Sequence, residues 1–230
     1  MLKYAIKMYL REIFYNATYW AISAILLLSE YFSITQYRGD LAFVETTQFI
    51  VVPVYLFLVS VPFFTEDRVL TFELVMFREW SSVAVGRLLA LLVSILPFST
   101  LVMLMASVRD SDPFILPILA SSLFYGTLVL LSTAVGGGSK AYVLSMGILF
   151  MLPFSSLVLV QNQVSLGNPV QGFAGYLTYI LAPVYGRSVV QSGMMLTNPT
   201  LANDICIFLA GIWALVYLIV FIRREVHPSG

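Results

Sequence analysis

Long apolar runs alternate with short polar breaks along this chain, and the runs have the length of membrane-crossing helices. A helix rising about 1.5 Å per residue needs about 20 apolar residues to cross a hydrocarbon layer. The pattern predicts six such spans, at about 14–35, 46–64, 83–107, 113–135, 141–160 and 204–222. Prolines 53, 97, 117 and 153 fall inside them. Membrane helices tolerate proline because neighbouring groups re-satisfy the freed carbonyls, so kinks are expected there. Residues 1–13 read differently. Leu2, Ile6, Tyr9 and Ile13 recur at helical spacing, while Lys3, Lys7 and Arg11 repeat every fourth residue on another face. That pattern predicts an amphipathic helix lying in the membrane interface, basic face toward lipid headgroups. No cleavage site follows convincingly, so an uncleaved start is expected rather than a signal peptide.

Two inter-span segments stand out. Residues 65–82 crowd Glu66, Asp67, Arg68, Glu73, Arg78 and Glu79 together, and Arg87 follows in the next span. Val69, Phe72, Met76, Trp80 and Val83 recur there at three- and four-residue steps, which predicts an apolar stripe facing the bundle. Thr71, Arg78, Ser81 and Ser82 fall largely on the other side. Residues 161–203 are too apolar for a simple loop. They are expected to form short helices in or dipping into the outer leaflet, broken near Pro183 and Gly193. Asn198–Pro199 then opens a turn, and Asp204 is expected to complement the N-terminus of the last span.

Composition agrees with a membrane protein. The chain is 60% hydrophobic and 10% charged, with a mean hydropathy of +0.92. Soluble domains are about 25% charged. With a net charge of zero, nothing points to nucleic acid as a partner. Basic residues set the expected orientation. With the N-terminus inside, nine of the twelve fall on the inner side (Lys3, Lys7, Arg11, Arg68, Arg78, Arg87, Lys140, Arg223, Arg224) and three outside (Arg38, Arg109, Arg187). This bias predicts both termini in the cytoplasm of a multi-pass cell-membrane protein, and places 65–82 inside. The expected fold is one all-α integral membrane domain over 1–230, without internal repeats.

Several chemistries lack their residues. The single histidine, His227, lies in the tail, so neither a Ser–His dyad nor axial haem ligands are expected in the spans. The single cysteine, Cys206, cannot form an internal disulfide or a thiolate metal cluster. No catalytic, cofactor-binding or metal-ligating residue is expected in this chain. Span interiors hold almost no ionisable residues, which argues against a self-powered secondary transporter. Gly136–Gly138 with Ser139 and Lys140 does not make a phosphate loop, because that loop needs Gly-Lys-Ser/Thr in that order. A tight turn is expected instead.

The charged segment resembles the intracellular segment of ABC transporter permeases of the type-2 exporter class. There an acid near the end of the second span precedes Thr-x-Glu-Leu, an apolar run, and Gly-Lys or Gly-Arg opening the third span. This chain has Glu66, Thr71, Glu73, Leu74 and Gly86-Arg87. The six-span layout and the basic start are also similar to that class. The sequence departs from it at Leu70, where a glycine is common, and in lacking the proline after the apolar run. The resemblance implies a permease subunit that is not itself an enzyme, coupled to a separate ATPase subunit that binds ATP and Mg. That subunit would dock on 65–82, at Glu66, Arg68, Glu73, Arg78 and Glu79. A second permease copy or a related permease would complete the pathway, to which Ser155 and Ser156 are candidate contributors. An uncharged pathway favours a hydrophobic, amphipathic or peptide cargo. The alternative is a non-transporting membrane scaffold or assembly factor.

Overall fold

The computed structural model describes residues 1–36, 46–64, 72–73, 75–77, 79–107, 115–136, 138–155, 158 and 199–223. Among the described residues the secondary structure is helical, without strands. The helices are α1 (Leu2–Phe14), α2 (Ala17–Gln36), α3 (Val52–Ser60), α4 (Trp80–Ser107), α5 (Ile115–Val135), α6 (Gly138–Met146) and α7 (Pro199–Arg223). A π-helical turn, Thr47–Val51, leads into α3, a 3-10 turn, Val61–Phe63, ends it, and a second π-helical turn, Gly147–Met151, follows α6.

Four segments are long and apolar enough to cross a membrane: Ala17–Thr35, Trp80–Val102, Ile118–Val135 and Asp204–Arg223. Of the other two expected spans, 46–64 contains the shorter apolar helix Phe49–Phe63, and 141–160 is helical over 141–155. α5 is the central element and packs against α3, α4, α6 and α7. α2 and α7 are peripheral and leave Trp20, Ile25, Leu28, Phe208, Leu215 and Ile219 exposed. Apolar side chains all round a helix are stable against lipid and costly against water.

The helix boundaries have local causes. The first span begins at Ala17 rather than about residue 14, because Asn16 caps it: its Oδ1 accepts the Thr18 N–H at 2.9 Å. The Trp20 indole N–H closes the same corner on the Phe14 carbonyl at 2.7 Å. The third span begins at Trp80, three residues earlier than expected. Glu79 stands just before it and accepts the Ser82 hydroxyl at 3.1 Å, where a carboxylate complements a helix N-terminus. α7 begins at Pro199, a residue suited to the first helical turn. Asp204 therefore lies inside that helix, not at its start. Gly138 takes φ 47° in the turn after α5, a left-handed conformation that favours glycine.

Both π-helical turns lie next to a proline. Pro53 falls four residues after Phe49, and Pro153 four after Leu149. Proline lacks the N–H that would bond to the carbonyl four residues back and its ring crowds that carbonyl. A wider turn accommodates both effects. Phe49 and Phe154 then meet at 5.4 Å between ring centres. The expected outer-leaflet helices fall almost wholly within 159–198, outside the described residues.

Two glycines set helix spacing. A Cβ on Gly126 of α5 would fall 2.7 Å from Ile95 Cδ1 of α4, and one on Gly86 of α4 would fall 2.9 Å from Ala5 Cβ of α1. Gly86→Val should therefore destabilise the protein by about 1–3 kcal/mol through overpacking, read as a lower Tm in detergent. Ala5→Gly, which removes the opposing methyl, should recover part of that loss. An unchanged Tm for Gly86→Val would show that α1 does not pack there.

Candidate functional site

Five elements converge on Arg87. It sits two turns into α4 and is 1% exposed. Its Nη2 donates to Glu73 Oε2 at 2.7 Å, and Glu73 is itself 4% exposed. The Tyr9 hydroxyl of α1 donates to the same carboxylate oxygen at 2.6 Å and accepts Arg87 Nε at 3.2 Å. Arg87 Nη1 reaches the Phe63 carbonyl at the end of the 3-10 turn at 3.4 Å. The guanidinium also lies 5.5 Å from the ring centres of Tyr9 and Phe221 and 6.0 Å from that of Phe63. Phe221 belongs to α7, so one side chain touches α1, the 72–77 connector, the end of the second apolar helix, α4 and α7.

Burial decides the chemistry here. Two opposite charges out of water survive only if they are paired and their remaining lone pairs and protons are satisfied. Tyr9 does both jobs. Burial first, then the nearby Glu73 carboxylate, raises its phenol well above the ordinary tyrosine value, while Arg87 acts in the opposite sense. The phenol thus keeps its proton and donates it to Glu73. Glu12, on the outer side of α1, is also raised, first by burial and then by Glu73, with Arg87 opposing.

This pairing corrects the expected orientation of the charged segment. The predicted stripe put Phe72 and Met76 against the bundle, yet they are 64% and 52% exposed, and Val75 is 71% exposed. The buried residues are Glu73 and Phe77, one turn apart. The 72–77 segment is rotated so that its carboxylate reaches Arg87 and Phe72, Val75 and Met76 point outward, while Trp80 and Val83, the end of the expected stripe, do face the bundle. Glu73 is therefore not presented to a partner as expected, because its carboxylate is used inside the chain. Glu79 remains exposed. Glu66, Arg68 and Arg78, with Val69 and Thr71, lie outside the described residues.

The basic residues of α1 are where the pattern placed them. Lys3, Lys7 and Arg11 are exposed, while Ala5, Tyr9 and Ile13 are buried against the bundle. Arg11 stacks over Tyr15 at 5.5 Å and borders an open depression of about 470 Å³ with Met8, Glu12 and Asn16. Ser155 is exposed and its hydroxyl bonds back to the Leu152 carbonyl at 2.7 Å, the usual behaviour of a helix serine. Ser156 lies outside the described residues. Deeper in the bundle, Tyr55 donates to the Ser94 carbonyl at 2.6 Å, so Tyr19 is the donor in their 3.0 Å contact. Tyr55 also stacks on Phe98 with ring centres 3.6 Å apart.

Among the described residues, no group of three or more His, Cys, Asp and Glu side chains could hold a metal ion. Comparison with protein-family models, with curated proteins and with solved structures finds no match.

Breaking the pair should cost far more than removing its third member. Arg87→Met or Glu73→Leu leaves an uncompensated buried charge and should lose about 3–5 kcal/mol. Tyr9→Phe loses a hydrogen bond to a charged group and should lose about 1.5–3 kcal/mol. Unfolding of each purified variant in mixed micelles checks the order. Equal losses below about 0.5 kcal/mol, the size of ordinary surface effects, would mean that the pair is solvated.

Proposed function

We propose that this chain is the transmembrane permease subunit of an ATP-driven ABC exporter. One observation supports the reading above the others: Arg87, Glu73 and Tyr9 tie a charged connector and an amphipathic helix to the ends of the apolar helices. A partner that pushes on such a connector moves the bundle, because the connector cannot rotate or slide without breaking a buried ion pair. The resemblance carried by Thr71, Glu73, Leu74 and Gly86-Arg87 fits the same role, now with Glu73 and Arg87 as the internal fastening.

In this reading the chain has six spans and both termini in the cytoplasm of a cell-membrane protein. A separate ATPase subunit binds ATP and Mg and docks on the connector. Its contact surface includes Glu79 and the outward apolar face of Phe72, Val75 and Met76, and Glu66, Arg68 and Arg78 are its further candidate docking residues. Stable interfaces combine an apolar centre with a polar rim in this way. Lys3, Lys7 and Arg11 hold α1 at the lipid headgroups. A second permease copy or a related permease completes the pathway, which takes a hydrophobic, amphipathic or peptide cargo. The chain itself is not an enzyme.

Mild-detergent purification from native membranes tests this. A near-stoichiometric subunit with Mg-dependent ATPase activity should accompany the chain. Phe72→Glu together with Met76→Arg should release it, while Tm stays nearly unchanged because both side chains are exposed. Purification without an ATPase, or with one whose association survives this double change, would contradict the docking surface and favour the scaffold reading.

A further inference from the structure

Glu30 has no part in the coupling described above. It is the fourteenth of the twenty residues of α2. At about 1.5 Å per residue it lies roughly 20 Å from the α1 end of that helix and roughly 9 Å from the other end. Those distances put it inside a hydrocarbon layer of about 30 Å. The side chain is 0% exposed, and among the described residues no donor stands in good hydrogen-bonding geometry to either carboxylate oxygen. Its polar neighbours are the hydroxyls of Ser33, one turn on, and Thr47, which opens the first π-helical turn. The Ser33 hydroxyl is directed at the Glu30 main-chain carbonyl at 3.3 Å.

No counter-charge faces it among the described residues. α2 packs chiefly against α1, against α3 with its π-helical turn, and against α4. α1 carries Lys3, Tyr4, Lys7, Tyr9, Arg11 and Glu12, α3 carries Tyr55, and α4 carries Arg87. Arg87 is paired with Glu73, and Tyr55 is bonded to Ser94 and Tyr19. An ionised carboxylate with no cation beside it and only the Ser33 and Thr47 hydroxyls as polar neighbours is among the most costly groups to bury, whereas a carboxylic acid is tolerated. Ionisable residues kept inside membrane spans mark ion and proton sites for this reason.

We propose that Glu30 is a proton-binding site in the first span, occupied when α2 and the Thr47–Val51 turn are packed together. The carboxylate takes one proton from water before this contact closes and returns it to water when the contact opens. Only the O–H bond forms and breaks. The opening is local because the π-helical turn is wound wider than its α-helical neighbours and stands next to Pro53. Such turns occur where a helix changes register at functional sites. The Phe49–Phe154 contact links this turn to the helical residues after the second π-helical turn, so separation at Glu30 has a path into the rest of the bundle. The site does not depend on the exporter reading and would serve any membrane protein with this contact.

Infrared spectroscopy of the full chain in lipid nanodiscs at neutral pH tests it, in H₂O and in D₂O, for wild type, Glu30→Gln and Glu30→Asp. Wild type should show a carboxylic-acid C=O band that shifts in D₂O. Glu30→Gln should lose it, and Glu30→Asp should move it without abolishing it. Should Glu30→Gln fail to fold, the aspartate variant carries the test, since a band left unmoved belongs to another residue. Identical carboxylic-acid regions in wild type and Glu30→Gln, or a band indifferent to Glu30→Asp, would overturn the proposal.

Discussion

A buried guanidinium cannot be left alone, and much of the arrangement at this end of the molecule follows from that. Arg87 lies where α4 meets α1, and its charge has to be answered within a few ångströms. Glu73 answers it at 2.7 Å, Tyr9 adds a second hydrogen bond to the same carboxylate oxygen, and the rings of Tyr9, Phe63 and Phe221 flank the cation. The connector's rotation follows from the pair rather than from its own hydropathy. Gly86 makes the arrangement possible, because a side chain there would meet Ala5 and hold Tyr9 away from Arg87. Such a pair adds little net stability over a well-packed apolar replacement, but it specifies one register of three elements.

The apolar runs were legible because a helix in lipid needs nothing but length and hydrophobicity. α2, α4, α5 and α7 follow from that alone. The buried face of α1 was legible too, since Tyr9 and Ile13 recur at helical spacing. The connector was misread for a physical reason. Its stripe of Phe72 and Met76 is a local signal, whereas its actual rotation is set by contacts 14 residues away to Arg87 and 64 residues away to Tyr9. Periodicity carries no information about such partners. The resemblance did single out Glu73 and Gly86-Arg87, but it gave Glu73 an outward role. Pro53 and Pro153 were visible as kink points, though not the wide turns beside them. Glu30 was overlooked in the apolar run of the first span. Its significance came only with its burial, and it qualifies the expectation that the span interiors carry almost no ionisable residue.

The two polar features divide the molecule. Near one end, a buried ion pair joins α1, the connector and α4, with Phe221 of α7 against the cation. Toward the other end of α2, an unsaturated carboxylate lies beside a wide turn and a proline. A stiff joint transmits displacement, and a costly, poorly satisfied contact is a place where displacement can be absorbed. Between them, Tyr55 is stacked on Phe98 and bonded to the Ser94 carbonyl.

The dependence of this end of the bundle on one ion pair is tested most directly by a double-mutant cycle on Arg87→Met and Glu73→Leu, with unfolding free energies measured in the same micelles. The double variant should be much more stable than the sum of the single losses allows, with a coupling at or above the upper end of the range of about 0.5–3 kcal/mol for residues in direct contact. Additive losses within about 0.5 kcal/mol would show that the two side chains do not depend on each other, and the joint described here would not exist.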